Sequence, residues 1–223
     1  MDSKWSNAVA AEVWPYVLKG FLVVLQVAAI AGIIAFVLGL ALAIAVQMLP
    51  NAWAKTVSGV MTFIRNTPIL VQALLVWTFV SLYLPLNWSA LGVGAVVLGV
   101  HYASYTMESF RAGIEAIPKG QWEAATALAL PRTRTWLAVI GPQMFKRSLP
   151  AVTNWLVAMF KEVPILSAIG VAEMIFLIRE YTTNEWTGFV EGYTLAGLLF
   201  LAASYPIAFA SRRLEIRLEQ SHR

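Results

Sequence analysis

Between Arg65 and Glu108 the chain runs for 42 residues, NTPILVQALLVWTFVSLYLPLNWSALGVGAVVLGVHYASYTM (66–107), without one acidic or basic side chain. A helix needs about 20 mostly apolar residues to cross the hydrocarbon of a bilayer, so this stretch has room for two crossings. The break between them falls at Leu84-Pro85-Leu86-Asn87-Trp88-Ser89, rich in turn formers and carrying a Trp suited to a membrane interface. Working outward, residues 20–54 are a second charge-free run of 35 residues that holds one long span, ending near Met48-Leu49-Pro50-Asn51. Residues 192–211 are a third, 20 residues long. Residues 150–178 are apolar apart from Lys161, Glu162 and Glu173, and read as a span with a charged interior. The pattern predicts an all-α integral membrane protein with five transmembrane helices.

Composition agrees. Of the 223 residues 59% are hydrophobic and 13% charged, about half the usual quarter of charged residues in a soluble domain. Too few charges remain for the surface of an ordinary soluble enzyme, and the apolar content excludes a disordered or collagen-like chain. The absence of cysteine excludes disulfides, thiolate metal sites and cysteine nucleophiles. Residues 1–18 carry Trp5, Trp14 and Tyr16 and suit a segment lying at the interface. With Asp2, Glu12 and no short apolar run ending in small residues, they do not read as a cleavable signal peptide.

Lys and Arg set the orientation. Lys55, Arg65, Arg111, Lys119, Arg132, Arg134, Lys146, Arg147, Arg212, Arg213, Arg217 and Arg223, 12 of the 16 basic residues, share one side of a five-span chain. Lys4, Arg179 and Lys19 belong to the other, with Asp2, Glu12, Glu173, Glu180, Glu185 and Glu191. The basic side is expected to be cytoplasmic, with the N-terminus outside and the C-terminus, residues 216–223, as a cytoplasmic tail.

Several chemistries find no residues. There is no Gly-x4-Gly-Lys-[Ser/Thr] phosphate loop, no His-Glu-x-x-His and no Gly-x-Ser-x-Gly elbow. His101, inside the third span, is expected to make a helix-packing hydrogen bond, and Gly92, Gly94 and Gly99 to let helices approach closely. Basic residues confined to one membrane side do not suit nucleic-acid binding.

The longest hydrophilic part, residues 111–147, lies between spans three and four. Pro118 and Gly120 punctuate it. A short helix is predicted over 121–130, rich in Ala, Leu, Gln and Glu and stopped by Pro131. A second is predicted over 134–140, interrupted at Gly141-Pro142 and resumed over 143–149. Ala124, Ala125 and Ala129 give the first a small-residue side that can sit deep in a partner's groove, with Glu123 near its positive end.

Here a resemblance enters. Gly120-Gln121-Trp122-Glu123-Ala124-Ala125, Leu128-Ala129 and Ile140-Gly141-Pro142-Gln143 resemble the EAA loop of bacterial type I ABC importer permeases. Phe63-Ile64-Arg65-Asn66-Thr67-Pro68-Ile69-Leu70-Val71-Gln72, Ile117-Pro118-Lys119-Gly120-Gln121 and Leu149-Pro150-Ala151 are similar to segments of the polar amino-acid uptake group. Residues 99–105 and 158–169 look most like ectoine and hydroxyectoine permeases. The likeness covers about residues 18–218. It departs at Ala129, where the group usually has Gly, at Gly141, where it has Leu, and at residues 160–166; Ala129 is expected to cost little because it is still small, and Gly141 to loosen the second short helix.

The resemblance implies a permease with residues 19–215 as the ABC transporter transmembrane domain. It implies a second permease subunit, the same or a sister chain, a cytoplasmic ABC ATPase dimer, a periplasmic or extracellular solute-binding protein and membrane lipid as partners. ATP and Mg would be bound by the ATPase, with no cofactor in this chain, in a bacterial inner membrane. Gly120, Glu123, Ala124, Ala125, Ala129 and Arg132 would couple to the ATPase, although for Arg132 and Arg134 taken alone lipid phosphate is the favoured contact over ATPase acids.

For the substrate path the ionisable residues inside the membrane are the pointers. Lys161 and Glu162, adjacent on a helix, face different ways, and Pro164 frees carbonyls near Phe160. Residues 160–167, with Lys161, Glu162, Pro164 and Ser167, are the first choice, against a structural kink whose charges pair with Glu108 or Arg65. Thr67 and Gln72 form a second polar patch. Tyr102 and Tyr105 either offer ring faces to a cationic or zwitterionic substrate or pack between spans. Glu108 and Arg111 are spaced to pair with each other. Transport without an ATPase, by a secondary transporter or channel, is the alternative; it calls for paired repeats, and five spans show none.

Overall fold

Ser6 starts the first helix. Its hydroxyl accepts the Val9 N–H at 3.5 Å, an N-cap, and the helix α1 then runs from Asn7 to Met48. At 1.5 Å per residue that is about 63 Å. In the computed structural model, which describes residues 5–84 and 87–220, no boundary appears near residue 18: α1 passes through Pro15 without ending. Val13 and Val17 are fully buried, and Tyr16 packs on Tyr181. The expected separate segment over 1–18 is therefore, over its described part, the first turns of the first long helix. Asp2, Lys4, Pro85, Leu86, His222 and Arg223 lie outside the described residues.

Along α1 the buried positions are Val13, Val17, Gly20, Val24, Val27, Ala31, Ala35, Gly39 and Ala43. Steps of three and four put these mostly small residues on one face, which lets another backbone come close. That neighbour is α4, Ala90–Glu115, the most buried of the long helices. A Cβ at Gly39 would overlap the Thr106 hydroxyl, which donates to the Ala35 carbonyl at 2.6 Å and pins the two helices together. A glycine also lets α4 and α7 approach closely: a Cβ at Gly113 would overlap the Ser148 hydroxyl, which donates to Met144 O of its own helix at 2.9 Å. Gly94 and Gly99 are also close-packing positions, against Leu166 and Ile34.

The second span differs from expectation. Residues 51–83 form two helices, α2 (Asn51–Asn66) and α3 (Ile69–Tyr83), bent by 103° at Thr67-Pro68. Proline disfavours helix at the preceding residue, and Thr67 is extended. At 15 residues, about 22 Å, α3 alone is shorter than the hydrocarbon, about 30 Å. Four helical stretches are long and apolar enough to cross, within 7–48, 90–115, 132–169 and 189–213, and the bent pair makes a fifth if counted as one.

The region after α4 also departs from the prediction. The short helix α5 is Lys119–Ala127, but no second short helix follows. Instead α6 (Arg132–Arg134) leads through a π-helical segment, Thr135–Ile140, directly into α7, Gly141–Glu162. Gly141-Pro142 does not interrupt. Proline lacks the N–H an α-helix would use there, and the wider turn accommodates it by letting Gly141 N–H reach back five residues to Trp136. A Cβ at Gly141 would lie 2.7 Å from that Trp136 oxygen, so glycine fits this turn rather than loosening a helix.

The fourth span thus ends at Ile169, not Ile178. After Glu162 the helix tightens into a 3₁₀ segment, Val163–Ile169, and Gly170 at φ 87° closes it. A separate helix α8, Met174–Glu185, follows; its twelve residues are too few to cross. Helix α9, Phe189–Gln220, carries the last span. Glu173 caps α8, accepting the Ile175 and Phe176 N–H groups at 2.9 and 2.8 Å while fully buried against the Gly20 turn of α1. Burial pushes this carboxyl up to about 7, against the lowering effect of the two N–H donors. Two apolar clusters hold the helices: a large one around Leu98, Leu166 and Met174, and a smaller one in which Ile117 and Ile140, flanking α5, meet Phe110 and Met144.

Candidate functional site

Two regions gather the singled-out residues. The first is α5. Pro118 starts it, and it ends in a Schellman motif: Leu130 N–H bonds Ala125 O at 3.0 Å and Ala129 N–H bonds Thr126 O at 2.9 Å. Ala129 takes the left-handed conformation this ending needs, φ 49°. Glycine reaches that region freely, whereas alanine pays about 1 kcal/mol. The expectation that Ala129 costs little because it is small is corrected: the cost lies in the backbone, not in size.

One side of α5 is seated on the protein. Ala125 is buried, and Trp122 meets Trp136 of the π segment edge to face, ring centroids 5.5 Å apart. The other side is open. Gly120, Glu123, Ala124, Ala127 and Ala129 are exposed, and Leu128 is 73% exposed. Among the described residues, nothing beyond its own helix and chain neighbours lies within 4 Å of a Cβ placed on Gly120. Of the expected coupling residues, Gly120, Glu123, Ala124 and Ala129 therefore look outward, Ala125 is part of the seat, and Arg132 stands exposed beyond the helix end. Leu128 and Trp122 were passed over; the 3.6-residue spacing of Trp122 and Ala125 against Glu123 and Ala127 is the signal that separates the two faces.

The second region lies beside the middle of α4, where the α2–α3 corner touches it. Thr67 and Gln72 fasten that corner. The Thr67 hydroxyl donates to the carbonyls of Phe63 and Ile64, at 3.1 and 3.0 Å, and the Gln72 amide nitrogen donates to Ile64 O at 2.7 Å. The Gln72 amide oxygen lies 3.1 Å from His101 Nδ1. That oxygen can only accept, so Nδ1 carries the hydrogen and the neutral ring keeps Nε2 as an acceptor. The packing hydrogen bond expected of His101 is present, and it places the ring among Tyr102 and Tyr105, each at 5.6 Å between centroids.

Glu162, half-buried at the end of α7, adjoins Tyr102 and His101. Lys161 is exposed and turned away, as adjacent residues on a helix must be, and neither charge forms an ion pair among the described residues. Arg111 instead pairs with Glu108 and Glu115. Pro164 and Ser167 are half-buried on the 3₁₀ segment, whose Val163, Leu166 and Ile169 face the core. Tyr105 lies against Trp155, centroids 4.4 Å apart and rings tilted by 35°, and the Arg65 guanidinium lies 5.9 Å from the Tyr105 ring. Arg65 forms part of the wall of two cavities, of about 530 Å³ with Lys55, Glu108 and Arg111, and of about 330 Å³ with Tyr105, Arg147 and Trp155.

Thr67, Gln72, Tyr102 and Glu162 thus come together, through a histidine left out of the expected set; Lys161 does not join them. Chemically the cluster offers an imidazole acceptor, a carboxylate and clustered aromatic rings, which suit a cation or ammonium group, with Arg65 nearby for a carboxylate.

Comparison with known proteins bears on the family and the fold. Residues 35–220 match the family described as "Binding-protein-dependent transport system inner membrane component". The chain is 36% identical over 168 residues to a probable amino-acid ABC transporter permease protein, y4tG, of Sinorhizobium fredii, covering 75% of this chain and 72% of the relative. It is 28% identical to the arginine transport system permease protein ArtQ of Bacillus subtilis, over 93% of this chain and 94% of that one. Among solved structures, an amino acid ABC transporter with histidines superposes with a TM-score of 0.84 at 27% identity, over 96% of this chain and 99% of the other. The MetNI methionine ABC transporter in an inward-facing conformation gives 0.78 at 19% identity over 96% and 99%, a likeness of fold. The chain belongs to the family of binding-protein-dependent transport system inner membrane components: it is a membrane-embedded permease subunit that works with an ATPase and a binding protein, not an enzyme.

Proposed function

We propose that this chain is the permease of an ATP-driven importer of polar amino acids or amino-acid-like compatible solutes, ectoine and hydroxyectoine included. The outward face of α5 carries the proposal: a Cβ on Gly120 would meet open space among the described residues, and the exposed small residues beside it leave a shallow, open surface. Gly120, Glu123, Ala124, Ala129 and Arg132 meet the ATPase there, and Ala125 keeps the helix in place. ATP and Mg sit on the ATPase dimer, and the chain itself holds no cofactor. A second permease subunit completes the pore, and the bent pair α2–α3 counts as the second of five crossings. The N-terminus is outside, where a solute-binding protein delivers substrate, and the C-terminus is cytoplasmic in the bacterial inner membrane.

On this reading substrate passes the cluster at the middle of α4. Glu162 and His101 Nε2 meet its amino or cationic end, Tyr102 and the Tyr105–Trp155 pair line its way, and Arg65 meets its carboxylate. Thr67 and Gln72 hold the corner, since their polar atoms are already engaged. Pro164 and Ser167 shape the 3₁₀ wall, and Lys161 faces away. A zwitterion fits this arrangement, and the relatives named for amino acids and arginine point the same way.

The test is reconstitution with ATPase, partner permease and binding protein in vesicles. ATP hydrolysis and uptake are followed over a panel of polar amino acids, ectoine and hydroxyectoine. Stimulation by one class, lost in Glu123→Lys with the complex still assembled, supports the reading. Uptake that persists with no ATPase present overturns it.

A further inference from the structure

Two glutamines that stand 22 residues apart in the chain touch in the fold. Gln143 Nε2 donates to Gln121 Oε1 at 3.0 Å, and also to the Val139 carbonyl at 3.0 Å. Gln121 belongs to the first turns of α5, and Gln143 to the first turn of α7. Trp136, where α5 is attached, is the second residue of the π segment, and the rest of that segment and Gly141-Pro142 separate it from the body of α7.

That segment is the soft point of the connection. Its turn is wider than an α-helix turn, and Pro142 contributes no N–H to it. A push on α5 that arrived only through Trp122 and Trp136 would enter inside the π segment, ahead of Gly141-Pro142, and be taken up by the rest of the wide turn. Gln143 lies beyond the segment. A contact from Gln121 to Gln143 bypasses the soft turn and acts on α7 directly. Helix α7 has 22 residues, about 33 Å, and its far end carries Glu162 beside Tyr102 and His101.

We propose that Gln121 and Gln143 are positioning residues for transport: their side-chain contact is a strut that carries displacement of α5 across the π segment into α7, and so to the Glu162 end. This rests on the reading of α5 as the surface that meets the ATPase. Neither glutamine touches substrate on this account. Their loss weakens the link between ATP hydrolysis and movement of solute, while assembly and hydrolysis continue.

The experiment uses the full complex in vesicles, with uptake and ATP hydrolysis measured together and solute taken up per ATP as the readout. Gln121→Ala and Gln143→Ala are each expected to lower that ratio about fivefold, the scale of one lost hydrogen bond. The double variant is expected to fall no further than either single, because both remove one contact. Gln121→Glu combined with Gln143→Lys, which substitutes an ion pair at the same place, is expected to recover the ratio, while each of these changes alone does not. Additive losses, or failure of the charge pair to recover the ratio, overturn the strut. A parallel fall of hydrolysis and uptake, with the ratio unchanged, also overturns it, since that is the mark of damaged assembly. Glu123→Lys is run beside them and reads the surface itself: if it leaves hydrolysis and uptake intact, the α5 reading fails, whatever the glutamines do.

Discussion

The fourth spanning element leaves α-helical geometry at both ends, in opposite senses. At its start, Thr135–Ile140 widens into a π segment; at its finish, Val163–Ile169 tightens into a 3₁₀ segment. The wide end is exposed, with Leu137 74% accessible and only Ile140 buried. The tight end drives Val163, Leu166 and Ile169 into the large core cluster, against α3, α4 and α8. Both distortions are set by proline, Pro142 and Pro164, yet their surroundings differ: one can yield and the other is held. A helix anchored at one end and exposed at the other turns about its anchored end, so on the proposed reading of α5 a displacement there reaches Glu162 as rotation rather than translation.

Truncation at the two ends is the strongest challenge to that contrast. Leu166→Ala is expected to cost about 3 kcal/mol, since Leu166 is fully buried and fills the space that Gly94 leaves open. Leu137→Ala is expected to change stability by less than about 0.5 kcal/mol. Denaturant or thermal unfolding in detergent measures both, and equal costs would erase the distinction between the ends.

Just past the tight end, Glu173 adds a pH dependence of nearly the same size. Its carboxyl titrates near 7 in the fold against 4.5 when free, so the folded chain holds this proton more strongly. The stabilisation from this group is then greatest below pH 4.5, falls as the pH rises towards 7, and levels off above it, a loss of about 3 kcal/mol. Glu173→Gln keeps an acceptor for the cap and is expected to flatten that slope. An unchanged slope in unfolding curves from pH 4.5 to 8 would show that the buried cap is not its source.

Smaller effects belong to the wide end. Gly141→Ala forces a methyl towards the Trp136 carbonyl and is expected to cost about 1 to 2 kcal/mol, with faster amide exchange over 135–142 in hydrogen-exchange mass spectrometry. Protection unchanged there would mean the π segment is not under this constraint. Ala129→Gly is expected to stabilise by about 1 kcal/mol, because the left-handed position then suits its residue. A loss of stability would contradict the backbone account of Ala129.

Much of this was legible in the sequence. Charge-free runs marked the long helices, and Pro118 and Pro131 bracketed α5 to within a few residues of its observed bounds. The misses share a cause. A greasy stretch carries no sign of direction, so the 103° corner at Thr67-Pro68 read as a helix start, and the turn at Gly170 vanished inside an apolar run. Gly141-Pro142 signals a break in any α-helix, and a π turn is the arrangement that evades the rule. His101 has no partner near it in sequence; Gln72 is 29 residues away and reaches it only because the corner folds back on α4. Ala129 was judged by volume, whereas what its position demands is a sign of φ.

The unbroken course of α1 has a mechanical consequence. About 63 Å of rod crosses about 30 Å of hydrocarbon, so roughly half its length stands outside the oily layer. One tip, at Asn7, lies beside the Glu191 turn that accepts the Ser6 N–H at 2.8 Å; the other, at Gln47 and Met48, lines a cavity with Trp122 and Thr126 of α5. A tilt of about 5° displaces one tip relative to the other by about 5 Å, nearly the pitch of a helical turn. The two faces of the membrane are thus joined by a single stiff lever.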